Sequence, residues 1–301
     1  MAAVNVAKGS GGNVNLKGRS PGMEVWSRLR SSPIAVLSMS VVGALVLIGI
    51  FADIIVPYEQ ALTLGAGDRL LPPGSPGHLL GTDNLGRDMF ARIIHGTRIA
   101  LIIGLTSATI TVVIATLLAC VCAMFGGWVD NVIMRLTDIL RCVPSIAIAL
   151  IIVASLGGGI PQLIIALIFS ALPMHINMIR SRALGIVNME YMESAVALGG
   201  RRFYIIVRHM IPNLISIIIV NGTAQISMSI MIGATLGFIG LGVSPPTPEW
   251  GTMLAEGLRF MLRNQYMVVV PGLVLAGSAL FFNTLGDCLR DAFDPQLKGK
   301  S

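Results

Sequence analysis

Charge is scarce in this chain: only 12% of its 301 residues are Asp, Glu, Lys or Arg, about half the share of an ordinary soluble domain. Hydrophobic residues make up 54%, and the mean hydropathy is +0.81. That is more apolar surface than a water-soluble globule could cover, so a soluble fold is excluded and a bilayer is left as the solvent. Cysteine is scarce too. Cys120, Cys122, Cys142 and Cys288 are too few and too oddly placed for a disulfide framework, and none shows a zinc spacing. His78, His95, His175 and His209 are scattered, which argues against a metal cage. There is no G-x-x-x-x-G-K-[ST] loop, no H-E-x-x-H and no G-x-S-x-G. The closing Gly299-Lys300-Ser301 lacks the upstream glycine of a phosphate loop. The chain is therefore expected to hydrolyse nothing, to bind no metal and to hold no cofactor of its own. No Asp, Glu, Lys or Arg sits in the middle of an apolar run, which weighs against a self-contained secondary transporter.

What is present is a series of apolar runs. Crossing about 30 Å of hydrocarbon takes roughly 20 residues at 1.5 Å each. Six runs qualify, near 33–56, 99–125, 143–156, 161–179, 213–241 and 267–285. The third is uninterrupted only from 143, and its helix is expected to start near Asn131. The first is too long, and preceded by too long a polar tail, for a cleaved signal peptide. Of the 21 Lys and Arg residues, 15 fall on the side shared by both termini and 6 on the other. The excess predicts cytoplasmic termini, and it accounts for the net charge of +6 without nucleic acid. The expected organisation is a flexible cytoplasmic tail (1–32), a first membrane helix (33–56), an extracytoplasmic loop with an interfacial helix (57–96), a transmembrane core (97–288) containing a cytoplasmic loop (188–212), and a cytoplasmic tail (289–301).

The loop Glu190 to Pro212 reads as helix, turn, helix. Met189, Met192 and Val196 form an apolar stripe, and Gly199-Gly200 supplies a left-handed stop. Phe203, Ile206 and Val207 share one side of the second helix, which Pro212 is expected to interrupt. Periodicity alone leaves two readings open, a hairpin lying on the inner lipid surface and a docking element for a cytoplasmic partner.

On the other side, Thr82, Asp83 or Asn84 can cap a helix bearing Met89, Phe90, Ile93 and Ile94 on one face and Asp88, Arg92 and His95 on the other. Such a helix would rest at the interface, with Asp88–Arg92 as an i,i+4 pair. Pro245, Pro246 and Pro248 end the fifth run, and Trp250 sits where an interfacial aromatic belongs. Structural roles compete there with contact to an extracytoplasmic protein through Asp83, Arg87, Asp88, Glu249 and Trp250. In the fifth run, Asn221, Gln225 and Ser229 recur every four residues. They either line a hydrated pathway or bond helix to helix.

Four stretches carry a resemblance. Glu193-Ser194-Ala195, then Gly199, then His209-Met210-Ile211-Pro212 is similar in spacing to the EAA loop of ABC importer permeases, with Ser194, His209 and Ile211 as departures. Gly81-Thr82-Asp83-Asn84-Leu85-Gly86-Arg87-Asp88 resembles a GTDxxGRD element. Pro245-Pro246-Thr247-Pro248-Glu249-Trp250-Gly251 resembles PPTPEWG. The run from Phe282-Asn283 through Gly286-Asp287 and Leu289-Arg290-Asp291 to Asp294-Pro295 resembles FNxxGDxLRDxxDP. The last three, in this order, resemble the C-type permease subunit of dipeptide, oligopeptide and nickel importers. The resemblance implies an all-α type I importer permease in the bacterial cytoplasmic membrane. It implies that Glu193, Ser194, Ala195, Gly199 and Pro212 belong to a coupling loop. It also implies a homologous second permease, two ATPase subunits carrying ATP and Mg, and an extracytoplasmic binding protein. The implied cargo is a di- or oligopeptide. Nickel or another small solute is the alternative, and a secondary transporter is less favoured.

Overall fold

The computed structural model describes residues 21–65 and 67–293. The flexibility expected of residues 1–20 and the motif residues Asp294 and Pro295 lie outside the described residues.

The tail expected to be flexible up to residue 32 is helical over Pro21–Ser31 (α1). Glu24 in its first turn and Arg28 and Arg30 in its last complement the helix dipole. Leu29 packs with Ala35 and Ala292, and the Arg28 guanidinium donates to the Ala292 carbonyl at 3.2 Å. The second helix, Pro33–Ile50 (α2), starts on the Ser32 cap with Pro at its first position. Two short helices follow, Ala52–Ile55 (α3) and Tyr58–Leu62 (α4).

The helix expected at the interface does not exist as a separate element. Met89–Phe125 (α5) is one helix of 37 residues, begun by Asp88, whose Oδ1 accepts from the Ala91 N–H at 2.8 Å. Its first turns are buried within the chain, so Arg92 and His95 face protein rather than headgroups.

The third run is also corrected. Gly127–Arg141 (α6) and Ser145–Leu156 (α7) meet at 86° rather than forming one rod. Pro144 lies at the break, where it offers no N–H and disfavours helical backbone in Val143 before it. Arg180 clamps α6 to the next helix, Ile160–Val187 (α8), by a two-pronged ion pair with Asp130, its Nε donating to Oδ1 at 2.6 Å.

The chain then makes the short helix Glu190–Ala197 (α9), the turn helix Arg202–Ile205 (α10), a π-helical turn at Ile206–Met210, and the span Ile211–Phe238 (α11). Trp250–Leu258 (α12) and Tyr266–Phe293 (α13) complete the fold, so the expected tail at 289–301 begins as helix.

Among the described residues there is no β-strand, only two isolated bridges. Among the described residues, five helices are long and apolar enough to cross a membrane, and the bent α6–α7 pair makes a sixth if counted as one span. The fold is thus an all-α membrane bundle with two different ends. Residues 57–88 and 239–265 gather at one, called here the loop end. The α9–α10 hairpin sits at the other, the hairpin end.

Candidate functional site

At the hairpin end, small residues of α5 (Ala115, Ala119, Ala123) allow close approach, and Met192, Ile205, Ile206 and Met210 fill the space against them and against Ile179 and Ala183 of α8. Each of those four side chains contributes about 1.5–3 kcal/mol by burial. The expected stripes are only partly buried: Met192 and Ile206 are inside, whereas Met189, Val196, Phe203 and Val207 are exposed. Ile205 and Met210 carry the packing that the sequence pattern assigned to those neighbours. The turn follows the expected chemistry. Gly199 has φ +79°, a conformation that side chains resist, and the Gly200 N–H closes on the Ala195 carbonyl at 3.1 Å. Glu193 and Ser194 are exposed and Ala195 is half-buried. Leu198, Phe203, Tyr204 and Val207 leave an apolar surface on the hairpin, with the Arg202 guanidinium 5.0 Å from the Phe125 ring centre.

Pro212 does not interrupt the second helix. A π-turn precedes it: the Ile211 N–H reaches back five residues to Ile206, and the Asn213 side-chain amide donates to the His209 carbonyl at 2.7 Å. The second arm of the hairpin therefore continues without a break into α11, from Arg202 to Phe238.

The aligned row on α11 divides. Gln225 donates to the Ser229 hydroxyl at 3.1 Å, and both are buried within this chain. Asn221, one turn nearer the hairpin, lines a cavity of about 1360 Å³ between α8, α11 and α13. Its Nδ2 has no hydrogen-bond partner among the described residues. Arg182 and Arg290 line the same cavity, and the sequence reading assigned neither. The available signal was that Met178, Arg182 and Ile186 recur every four residues along α8.

At the loop end the residues expected to meet an extracytoplasmic protein are turned inward. Asp83 and Arg87 are 1% and 3% exposed, Glu249 4% and Trp250 1%. Asp83 Oδ2 accepts from Arg87 Nε at 2.6 Å and from Arg92, while Glu256 of α12 accepts from both arginines at 2.8 Å each. Burial pushes the Asp83 carboxyl up, but the two guanidinium charges and the Arg87 hydrogen bonds outweigh it and hold its pKa below the ordinary value. Asp88 is half-buried and, besides capping α5, pairs with His78 Nδ1 at 2.7 Å rather than with Arg92. Trp250 lies against Gly96, and its indole N–H points to the Ile93 carbonyl at 3.4 Å; it is not an interfacial aromatic. Glu249 caps α12 by accepting from the Gly251 and Thr252 N–H groups at 2.8 Å each. Its burial raises its pKa to about 7 against the pull of those hydrogen bonds. Buried charges pair with each other here because the alternative is several kcal/mol of uncompensated desolvation per ion.

No group of three or more His, Cys, Asp or Glu side chains among the described residues is placed to hold a metal ion.

The binding-protein-dependent transport system inner membrane component family matches residues 112–299. The N-terminal transmembrane domain of oligopeptide transport permease C matches residues 20–73. The glutathione transport system permease protein GsiD of Pectobacterium atrosepticum is 38% identical over 280 residues, covering 93% of each chain. Its counterparts in an Escherichia coli strain and in Shigella boydii are 39% identical over 281 residues, covering 93% of this chain and 92% of theirs. The chain, with its bundle of apolar helices and its α9–α10 hairpin joined to two of them, belongs to the family of binding-protein-dependent transport system inner membrane components and is a multi-pass inner-membrane permease.

Proposed function

We propose that this chain is one of two homologous permease subunits of an ATP-driven importer, and that the α9–α10 hairpin is the element through which separate ATPase subunits, carrying ATP and Mg, drive it. The observation that carries the reading is continuity. The hairpin is joined to α8 at one side, and through the π-turn to α11 at the other, so a push on it is delivered to two spans at once. Its exposed Leu198, Phe203, Tyr204 and Val207 suit burial against a protein partner. Glu193, Ser194 and Ala195 form the first arm of the contact, Gly199 its turn, and Pro212 its junction with α11.

In this reading the hairpin end and both termini are cytoplasmic, as the Lys and Arg distribution supports. The loop end faces an extracytoplasmic solute-binding protein. Asp83, Arg87, Glu249 and Trp250 shape that face from within rather than touching the partner. The pathway lies between the two permease chains, with Asn221 on its wall, and Gln225 and Ser229 hold α11 rigid behind it. The cargo is a small peptide of the glutathione class, the solute named for the relatives.

Co-purification tests this. The intact chain is expected to bring down a second permease and ATPase subunits. A Glu193→Lys, Gly199→Pro variant is expected to keep the permease and lose the ATPases. A chain that purifies alone and moves solute into vesicles without ATP would overturn the proposal.

A further inference from the structure

We infer that the cavity at the hairpin end is a subsite for a carboxylate-bearing solute in transit, with Arg182 and Arg290 as its anion-binding pair. The inference deepens the proposed function and rests on it.

Three helices build the subsite. Arg182 comes from α8, Arg290 from the last turn of α13, and Asn221 from α11. Asn213 and Asn221 both line the wall, so the cavity runs along α11 for eight residues, or about 12 Å. Arg182 and Arg290 are exposed, and neither makes an ion pair with a described residue. Among the described residues no Asp or Glu lines the cavity, and Asp287 and Asp291, on the same helix as Arg290, stay off its wall. Two guanidinium groups on one concave surface, without a countercharge among the described residues, focus a positive potential that concentrates anions. Guanidinium is also the side chain best matched to a carboxylate, by paired charge-assisted hydrogen bonds.

Asn221 is the buried polar side chain on the inner part of the wall. It is 6% exposed, it lines the cavity, and its Nδ2 has no partner among the described residues. The size suits passage rather than capture: about 1360 Å³ exceeds the roughly 300–1,000 Å³ of an ordinary small-molecule pocket. The chain's own N-terminal stretch is a poor occupant, because residues 1–20 carry Lys8, Lys17 and Arg19 and no acidic side chain.

The test uses the complete importer in vesicles. A Ser216→Cys substitution on the cavity wall, in a Cys142→Ser, Cys288→Ser background, is labelled with an anionic sulfonatoethyl and a cationic trimethylammonioethyl methanethiosulfonate. Relative to a free thiol, the anionic reagent is expected to be favoured by about tenfold. Arg182→Gln with Arg290→Gln should abolish that preference, and Arg182→Lys with Arg290→Lys should keep it. A preference equal in the parent and the Gln variant overturns the inference. So does a preference that is present in phosphatidylcholine vesicles but vanishes when phosphatidylglycerol is added, since a lipid headgroup would then hold the arginines. ATP-driven glutathione uptake is measured alongside and should fall about tenfold in the Gln variant, in proportion to the lost local concentration; unchanged uptake also overturns the inference. If the parent complex shows no ATP-dependent uptake at all, the proposed function fails, while the labelling ratio still reports on the subsite.

Discussion

Glu256 on α12 accepts a 2.8 Å hydrogen bond from Arg92 in the first turn of α5, so two segments far apart in sequence are locked by charge at the loop end. Asp83 completes the lock by accepting from both Arg92 and Arg87. Asp83→Asn would leave two buried guanidiniums with Glu256 alone. The expected loss is about 3–5 kcal/mol, read as a lower melting midpoint of the purified protein in detergent. Because the folded-state pKa of Asp83 is depressed, its contribution is present above the unfolded value of 3.8 and lost only as pH falls through the lower folded value. The lock should therefore hold at pH 5 and fail in stronger acid.

Glu249 has the opposite sign. Its pKa is raised from 4.5 to about 7, so the stability it contributes is complete below 4.5 and is lost as pH rises toward 7. Melting midpoints should fall between pH 5 and pH 8, and Glu249→Gln should flatten that slope. An unchanged slope in the variant would assign the pH dependence elsewhere.

Gly251 marks where α12 touches α11. A Cβ built there would lie 2.7 Å from the Ala234 carbonyl carbon and 2.8 Å from its Cα. Backbone cannot yield as a flexible side chain can, so Gly251→Ala is expected to cost about 1–3 kcal/mol as overpacking. The loss should appear as faster proteolysis within 239–265, with the hairpin end unaffected.

The π-turn before α11 makes a different kind of prediction. Pro212→Ala restores a backbone donor and lets the i→i−4 pattern re-form, which would rotate the hairpin relative to the span. Coupling rather than assembly should suffer, by about 0.5–2 kcal/mol. The measurement is ATPase stimulation by the binding protein in a complex that still co-purifies.

Local patterns were legible in the sequence, and distant partnerships were not. Apolar run length gave the spans, and the glycine at 199 marked the turn, because both are written within a few residues of themselves. Along the chain Arg92 and His95 look interfacial, because polar side chains near a span end usually are. Their partners, Glu256 and the Val56 carbonyl, come from other segments that the fold brings alongside α5. Trp250 departs from its interfacial pattern for the same reason: its place is made by Gly96, on another helix. Pro144 was in plain view, but the apolar residues on either side of the break carried the reading through it. The cavity required α8 and α13 to converge, so Arg182 and Arg290 had no visible relationship along the chain.

The elbow between α6 and α7 has a consequence for the surrounding lipid. At 1.5 Å per residue, the 12 residues of α7 reach about 18 Å, well short of the roughly 30 Å of hydrocarbon that the other spans are long enough to cross. With α6 turned 86° aside, it adds little to that reach. On this flank the acyl chains must shorten, or the end groups of the elbow must sink below the headgroups, each at a fraction of a kcal/mol per Å of mismatch. A thicker membrane would press on this flank and a thinner one would relieve it.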